Sequence, residues 1–174
     1  MKIFTYTCLS LLMLGALLPT GGVRAQTVIS SQSPCSPGGG ECLTFTDSSG
    51  PIPTIRSFDF TAPSAGEALV TFHGSLYCAS GFTTTNSVVD VVSQIVPGTT
   101  DAPAISGPGG LRHAIVLTAS SAGTSDTFNL ASTRVVNITA PGNTTFSFKM
   151  ARLRMDTGTQ CYVYNAAFTV VFTP

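Results

Sequence analysis

The sequence predicts an all-β protein, a two-sheet antiparallel sandwich of the jelly-roll type, and three observations indicate this class. Beyond residue 25, almost every apolar run alternates with polar residues or is β-branched, and no helical stripe of useful length appears. Gly, Pro, Asn, Asp or Ser residues interrupt nearly every run, as turns do, and about eight short strands in about 150 residues are typical of a jelly roll. The chain has no Trp, which disfavours the alternative of an immunoglobulin-like sandwich with a buried tryptophan.

The first residues have the layout of a helical signal peptide, residues 1–25. Lys2 precedes an apolar stretch over residues 3–18, and a Pro-Thr-Gly-Gly break follows it. Val23-Arg24-Ala25 supplies the residues that a signal peptidase reads, so cleavage before Gln26 is expected. The stretch falls short of the about 20 residues that span a bilayer, which disfavours the alternative of an uncleaved anchor. We therefore expect a secreted or periplasmic protein with no stable membrane insertion after cleavage.

Beyond the signal peptide, the length fits one domain with a substantial core. Residues 26–42 are expected to form an N-terminal arm closed by a small disulfide loop, and residues 43–174 to form the β-sandwich domain. Strands are predicted at residues 43–47, 54–60, 67–78, 87–96, 112–119, 127–130, 134–139, 144–155 and 161–173. Residues 97–110 contain three prolines and four glycines, so a long loop is expected there.

Two of these strands alternate most clearly. The strand at 67–78 places one set of side chains on an apolar face, namely Ala68, Val70, Phe72, Gly74 and Leu76. In the strand at 161–173, strict alternation places one set on a face that is assigned to the core, namely Tyr162, Tyr164, Ala166, Phe168, Val170 and Phe172. A C-terminal strand this regular is expected to be central to a sheet.

Four cysteines remain after the expected cleavage, namely Cys35, Cys42, Cys78 and Cys161. An even number in an exported chain indicates two disulfides, for which three pairings exist. We favour Cys35–Cys42, which encloses a Ser-Pro-Gly-Gly-Gly-Glu segment able to turn back on itself, together with Cys78–Cys161, which ties the end of an early strand to the start of the last. A four-thiolate zinc site is the alternative, and the lack of a Cys-x-x-Cys pair disfavours it.

Few residues are charged, 9% of the chain against about 25% in typical soluble domains. Removing Lys2 and Arg24 with the signal peptide leaves six basic and eight acidic residues, a formal charge of −2. No basic surface is therefore expected to bind nucleic acid. The chain is rich in Thr and Ser, so its two glycosylation-acceptor patterns, at Asn137 and Asn143, are of a kind expected by chance.

No motif of a catalytic or cofactor site occurs, such as a Gly-x-Ser-x-Gly elbow, a His-Glu-x-x-His helix or a phosphate-binding loop. We therefore expect a protein that is not an enzyme and holds no cofactor or metal. His73 and His113 are the only histidines. A hydrolase or metal site would need both to converge with a carboxylate such as Asp90. Two unrelated strand histidines and an outward-facing Asp90 are the favoured interpretation.

The candidates for a ligand surface are Arg152, Arg154 and His73. By alternation the two arginines share one face of a predicted strand and could grip an anion, although exposed arginines are usually only solvated. Three tyrosines could stack on sugar rings, namely Tyr77, Tyr162 and Tyr164. Since the last two are assigned to the core face, packing is the role favoured for them.

Two longer segments are Ser57-Phe-Asp-Phe-Thr-Ala-Pro-Ser-Ala-Gly-Glu-Ala-Leu-Val-Thr-Phe72 and Arg134-Val-Val-Asn-Ile-Thr-Ala-Pro-Gly-Asn-Thr-Thr-Phe-Ser-Phe148. The first resembles the strands that lead into the core of C1q/TNF-like jelly rolls, and the second is similar to a later hairpin of that fold. The resemblance implies a compact domain without a catalytic site, frequently a homotrimer, that binds partners through its outer surface or loop tips.

The end of the chain, Ala166-Ala-Phe-Thr-Val-Val-Phe172, alternates and ends near an aromatic residue. With the export signal and the low charge, it resembles chaperone–usher pilins, which implies polymerisation by strand exchange. Our leading hypothesis is an exported, non-enzymatic β-sandwich protein that acts by binding or assembly, as a homo-oligomer or with a protein or glycan ligand. A pilin-like structural or adhesive subunit is the alternative, and a small secreted hydrolase is third.

Overall fold

A computed structural model describes residues 27–35, 41–48, 51–81, 83–99, 103–104, 107 and 109–174. The predicted signal peptide lies outside these residues. The described chain forms nine strands and no helix, so it contains no helix that could cross a bilayer. The strands are β1 (Val28–Ser31), β2 (Glu41–Thr46), β3 (Arg56–Ala62), β4 (Gly66–Ser80), β5 (Ser87–Pro97), β6 (Leu111–Leu117), β7 (Thr124–Ile138), β8 (Gly142–Met155) and β9 (Thr159–Thr173).

The strands form two antiparallel sheets with the winding of a jelly roll. Sheet I has the order β1-β9-β4-β7, and β2 pairs with β9 beside β1. Sheet II has the order β3-β8-β5-β6. Strands pair from the ends of the chain toward its middle: β2 with β9, β3 with β8, β4 with β7, and β5 with β6. This is the pairing of a long hairpin that is rolled up into two layers. The predicted fold class is confirmed, and the last strand is central to its sheet.

The structure differs from the predicted elements in two places. A single strand, β7, replaces the two short runs expected at 127–130 and 134–139, because residues 124–138 pair with β4 without interruption. Part of the expected N-terminal arm is itself a strand, since Val28 lies opposite Phe172. Arg56 of sheet II fastens this arm, donating from Nε to the Gln32 side-chain oxygen at 2.7 Å and from its terminal nitrogen to the Ser33 carbonyl at 3.1 Å.

The core lies between the inner faces of the two sheets and is rich in phenylalanine. Phe72 of sheet I stacks on Phe148 of sheet II with ring centroids 3.6 Å apart, and the edge of Phe168 meets Phe72 at 5.2 Å. Phe60 meets Phe172 across the same interface at 5.6 Å. The alternation predicted for β4 holds, because its even-numbered apolar side chains from Ala68 to Leu76 face this core.

Both favoured disulfides are present. Cys35 joins Cys42 with Cα atoms 5.6 Å apart, and Cys78 joins Cys161 with Cα atoms 4.1 Å apart. The second bond links directly opposite residues of β4 and β9, and both of its cysteines are fully buried. The two disulfides are compatible with an oxidising compartment.

Strand β9 contains a β-bulge that the sequence analysis missed. Asn165 has a positive φ of 53°, and the register shifts around it: Ser75 lies opposite Tyr164, whereas His73 lies opposite Ala167. Three residues of β9 thus span two of β4, which reverses the faces. Cys161 and Val163 face the core before the bulge, as do Ala166, Phe168, Val170 and Phe172 after it. The assignment of Tyr162 and Tyr164 to the core face was therefore wrong, because both lie on the outer face.

Gly74 provides the space opposite this bulge. A Cβ at Gly74 would lie 3.2 Å from the Tyr164 carbonyl oxygen and 3.4 Å from the Ala166 Cα atom. Asn165 itself suits its position, since asparagine tolerates the left-handed backbone region better than other non-glycine residues. The two residues together allow β9 to change faces while staying paired with β4.

We expect Asn165→Val to lower the free energy of unfolding by about 1–2 kcal/mol, because a β-branched residue is strained at positive φ. Asn165→Gly is the matched control and should be neutral or stabilising, since glycine adopts this conformation freely. Urea unfolding of residues 26–174 measures both. Equal stability of the two variants would contradict the bulge.

Replacing Cys78 and Cys161 by Ala should destabilise the domain more than replacing Cys35 and Cys42. On the loop-entropy model, the long bridge contributes about 4.6 kcal/mol and the short bridge about 2.5 kcal/mol. The same unfolding measurement on the two double variants gives the order. A larger loss from the short bridge would show that β4 and β9 do not depend on their covalent link.

Candidate functional site

The outer faces of the two sheets differ in charge. Five of the six Lys and Arg residues beyond residue 26 lie on strands of sheet II, namely Arg56, Arg112, Lys149, Arg152 and Arg154. The sixth, Arg134 on β7, donates to the Ile95 carbonyl oxygen of sheet II at 2.7 Å. By strand alternation, the outer face of sheet I carries only Glu41, Glu67 and His73 besides tyrosines as ionisable groups. Sheet I therefore presents a nearly uncharged face.

One end of this face carries a row of apolar side chains, which we call the apolar row: Ile29, Val171, Leu69 and Val135. They are direct neighbours in register across β1, β9, β4 and β7. Ile29 is 70% exposed, Val135 59% and Leu69 41%. Val171 between them is half-buried. Adjacent aliphatic side chains of this kind are a feature of interaction surfaces rather than of isolated surface positions.

The other end of the face carries the tyrosine cluster: Tyr77, Tyr162 and Tyr164. Tyr77 lies opposite Tyr162 across β4 and β9, with ring centroids 5.8 Å apart. Tyr162 and Tyr164 stack at 6.2 Å with ring planes 25° apart. All three side chains are half-buried. The bulge at Asn165 places the last two here, so an Asn within an otherwise alternating strand was the signal for this cluster in the sequence.

Glu41 lies beside the cluster, opposite Tyr164 in register. Its carboxylate accepts a hydrogen bond from the Thr44 hydroxyl at 2.6 Å. Loss of hydration, followed by the charge of Glu41, raises the pKa of Tyr164 above its usual value. The shift favours the protonated hydroxyl, which can donate a hydrogen bond.

A depression of about 500 Å³ adjoins the cluster at the end of the sandwich, and we call it the terminal depression. Tyr77 and Gln160 form its border with the tyrosine cluster. Its other walls consist of small residues, namely Ala79, Ser80, Gly81, Ala122, Gly123, Thr124, Ser125 and Gly158. Among the described residues that line it, none carries a charged side chain, and the polar side chains carry hydroxyls or an amide.

The structure separates the two arginines that were expected to share a face. The register shift between Asp90 and Val91 places Arg154 opposite Asp90 and Arg152 opposite Val91, so Leu153 is the extra residue of a second bulge. Arg152 donates to the carbonyl oxygens of Thr46 and Asp47 at 2.6 and 2.7 Å. Arg154 pairs instead with the Asp156 carboxylate at 2.8 and 3.0 Å. The two guanidinium groups do not form one anion site.

The two histidines do not meet either. His73 is exposed on the outer face of sheet I, close to the middle of β4. His113 lies on β6 of sheet II, where its Nε2 is 2.8 Å from the Ser93 hydroxyl, and burial lowers its pKa. Over the residues that the structure describes, no group of three or more His, Cys, Asp or Glu side chains could hold a metal ion.

Asp90 is engaged by Arg112. The guanidinium donates from Nε to one carboxylate oxygen at 2.8 Å and from a terminal nitrogen to the other at 2.5 Å. The hydrogen bond from Arg112 lowers the pKa of Asp90, while loss of hydration opposes the shift. The carboxylate lies on the outer side of sheet II but is shielded, which is the geometry of a structural ion pair.

Part of the β5–β6 connection covers the outer side of sheet II. The Gln94 side-chain oxygen accepts a hydrogen bond from the Ala104 amide at 3.1 Å, and Gly107 lies against the same side chain. Lys149 Nζ donates to the Thr99 carbonyl oxygen. In the described part of the loop expected at 97–110, Thr99, Ala104 and Gly107 therefore pack on sheet II, and the Gly109 carbonyl oxygen accepts a hydrogen bond from the Ser132 hydroxyl of β7 at 3.4 Å.

Known proteins give no family for this chain. No model of a protein family matches the sequence, and no curated protein matches it. The uncharged outer face of sheet I, with the apolar row at one end and the tyrosine cluster at the other, is the strongest candidate for a functional surface.

The ion pairs of sheet II predict a dependence of stability on pH. The folded-state pKa values of Asp90 and Asp156 are lowered by Arg112 and Arg154, so their contribution is present above the unfolded pKa of about 3.9 and is lost as pH falls further. Urea unfolding between pH 2.5 and 7 should show stability falling below about pH 4. Arg112→Gln should lower stability at neutral pH and reduce this dependence. An unchanged dependence in the variant would contradict the role of Arg112.

Proposed function

We propose that the protein is an exported, non-enzymatic β-sandwich domain that acts by assembly, forming homo-oligomers through the apolar row on the outer face of sheet I. The observation that carries the proposal is the alignment of Ile29, Val171, Leu69 and Val135 across four strands on a face almost free of charge. The predicted signal peptide and the two disulfides support a secreted or periplasmic location.

Burial of this face against a second copy is favourable for a simple reason. Exposed aliphatic surface gains about 25 cal/mol for each Å² removed from water, whereas buried charges must be paired or they cost several kcal/mol. The row on one side of the apolar row consists of Ser31, Thr169, Thr71 and Thr133, which can hydrogen-bond to one another, as Thr71 and Thr133 do at 3.5 Å. The row on its other side contains Glu67, whose exposed carboxylate lies at the end of the sheet, opposite Thr173 and Asn137. A trimer is the assembly that the C1q/TNF-like resemblance implies.

The pairing of β9 favours assembly of finished domains over strand exchange. A pilin subunit leaves a groove for a strand from its neighbour. Here β9 pairs with β1 and β2 on one side and with β4 on the other, and its Phe168, Val170 and Phe172 fill the core of the same chain. This pairing of β9 within the described residues supports assembly of finished domains over the pilin-like alternative.

The placement of the titratable groups supports the non-enzymatic part of the proposal. The hydrolase hypothesis needs His73 and His113 to converge on Asp90. His73 points out from sheet I, His113 contacts Ser93, and Asp90 is held by Arg112. Each group has a separate environment and no shared substrate position.

Light scattering after size exclusion, on residues 26–174 exported to an oxidising compartment, should give a discrete oligomer, with a trimer as the expected mass. Val135→Lys should yield a monomer, because it introduces a charge into the apolar row at an edge strand. Val116→Lys is the matched control, since Val116 is 57% exposed on the outer side of sheet II. It should leave the mass unchanged.

A wild-type monomer at all concentrations, or an oligomer unaffected by Val135→Lys, would refute assembly through the apolar row. A ladder of increasing masses would instead indicate the pilin-like subunit. Thermal unfolding of each variant shows whether the mass from light scattering belongs to the folded domain.

A further inference from the structure

We propose that the tyrosine cluster and the terminal depression together form a binding site for a neutral saccharide chain. Tyr77 and Tyr162 lie side by side on β4 and β9, Tyr164 is two residues further along β9, and Tyr77 and Gln160 border the depression. The site lies at the end of the sheet opposite the apolar row. Leu69 and Tyr77 are eight residues apart along β4, about 27 Å at the rise of an extended strand.

Aromatic rings at this spacing suit the chemistry of sugars. The C–H groups of a pyranose ring pack favourably on an aromatic ring, and the sugar hydroxyls remain free for hydrogen bonds. Ring centroids at 5.8 and 6.2 Å give a ladder in which successive rings can meet successive sugar units. Tyrosine adds a phenolic hydroxyl, so each position offers both an apolar surface and a polar group.

The tyrosines are held in place before any ligand arrives. The Tyr77–Tyr162 pair is directly followed in register by the Cys78–Cys161 pair, whose disulfide fixes β4 to β9 beneath the rings. Tyrosine has few rotatable bonds, and a ring on a cross-linked strand pair loses little freedom on binding. The entropic cost of forming the complex is correspondingly small.

The terminal depression matches the polar part of such a ligand. Its volume of about 500 Å³ lies within the range of about 300–1,000 Å³ that is usual for ligand sites. Thr124, Ser125 and Gln160 are lining residues that carry hydroxyls and an amide. Glycines at 81, 123 and 158 bring the backbone to the surface. Groups of this kind form hydrogen bonds with sugar hydroxyls without requiring a charge on the ligand.

The electrostatics of the face select a neutral saccharide over an acidic one. Glu41 lies opposite Tyr164, and the Lys and Arg residues of the described chain lie on or reach toward sheet II. A uronic acid or sulfated sugar would therefore meet a carboxylate and no compensating cation.

Intrinsic tyrosine fluorescence can report saccharide binding to the cluster. It has no Trp, and of its four tyrosines Tyr6 lies in the predicted signal peptide, so the tyrosine fluorescence of residues 26–174 comes from the cluster alone. Titration with hexasaccharides of neutral β-linked glucose, xylose, mannose and N-acetylglucosamine should give a saturable change with at least one of them. A hexasaccharide of uronic acid units should give none.

Calorimetry on variants then locates the site. Tyr162→Ala should weaken binding of the same hexasaccharide by about tenfold or more, whereas Tyr162→Phe retains the ring and should stay within about threefold. Val135→Lys, placed in the apolar row, should leave affinity unchanged even if it alters the oligomeric mass. Failure of assembly through the apolar row can therefore be distinguished from failure of saccharide binding at the tyrosine cluster.

The proposal is overturned if no neutral hexasaccharide changes the fluorescence, if the uronic acid chain binds more tightly than the neutral ones, or if Tyr162→Ala binds as the wild type does. Tyr164→Ala serves as a second variant in case Tyr162→Ala unfolds. It should also weaken binding, because it removes the outermost ring of the cluster.

Discussion

The pairing of β9 with β4 is the interaction on which the rest of the structure depends. It joins the two central strands of sheet I, carries the Cys78–Cys161 bond, and presents Phe72 and Phe168 to the core from neighbouring strands. The pairing also has to accommodate a change of face at Asn165 without losing its hydrogen bonds. Gly74 and the positive φ of Asn165 meet that requirement, and the outer tyrosines are a direct result of it. The bulge at Asn165 thus determines both which side chains of β9 pack in the core and which lie on the candidate ligand surface.

The few charged residues of the chain serve mainly in structural contacts of sheet II. The ion pairs Asp90–Arg112 and Arg154–Asp156 belong to sheet II, as do the contacts of Arg56 and Arg152 with neighbouring segments. The contacts of Arg56 and Arg152 fasten the N-terminal arm and the end of β2 to the sandwich. In sheet I, the long strands β4 and β9 are joined covalently by the Cys78–Cys161 disulfide.

The sequence was sufficient for the parts of the fold that follow a strict period of two. Alternation located the main strands, and the regular pattern of β9 correctly indicated a central position. The same reasoning failed at Asn165 and Leu153, because a bulge residue shifts every side chain beyond it to the other face of the sheet. The alternation of apolar and polar residues does not show where such a residue is inserted. It therefore assigned Tyr162 and Tyr164 to the core, and Arg152 and Arg154 to one surface. The length of β7 was missed for another reason: small residues near Ser132 resemble a turn unless the partner strand is known.

The order of the strands has a consequence for folding kinetics. Val28 pairs with Phe172, so the first and last strands of the described chain are neighbours, and closing that contact requires ordering nearly everything between them. Topologies dominated by such distant contacts fold slowly, because the entropy of long loops is lost before native contacts compensate for it. Cys35 and Cys42 are seven residues apart and can find each other early, whereas Cys78 must wait for a partner 83 residues further on. A chain emerging from its N-terminus therefore remains open until β9 arrives, and in that interval Cys78 is the thiol most exposed to mispairing.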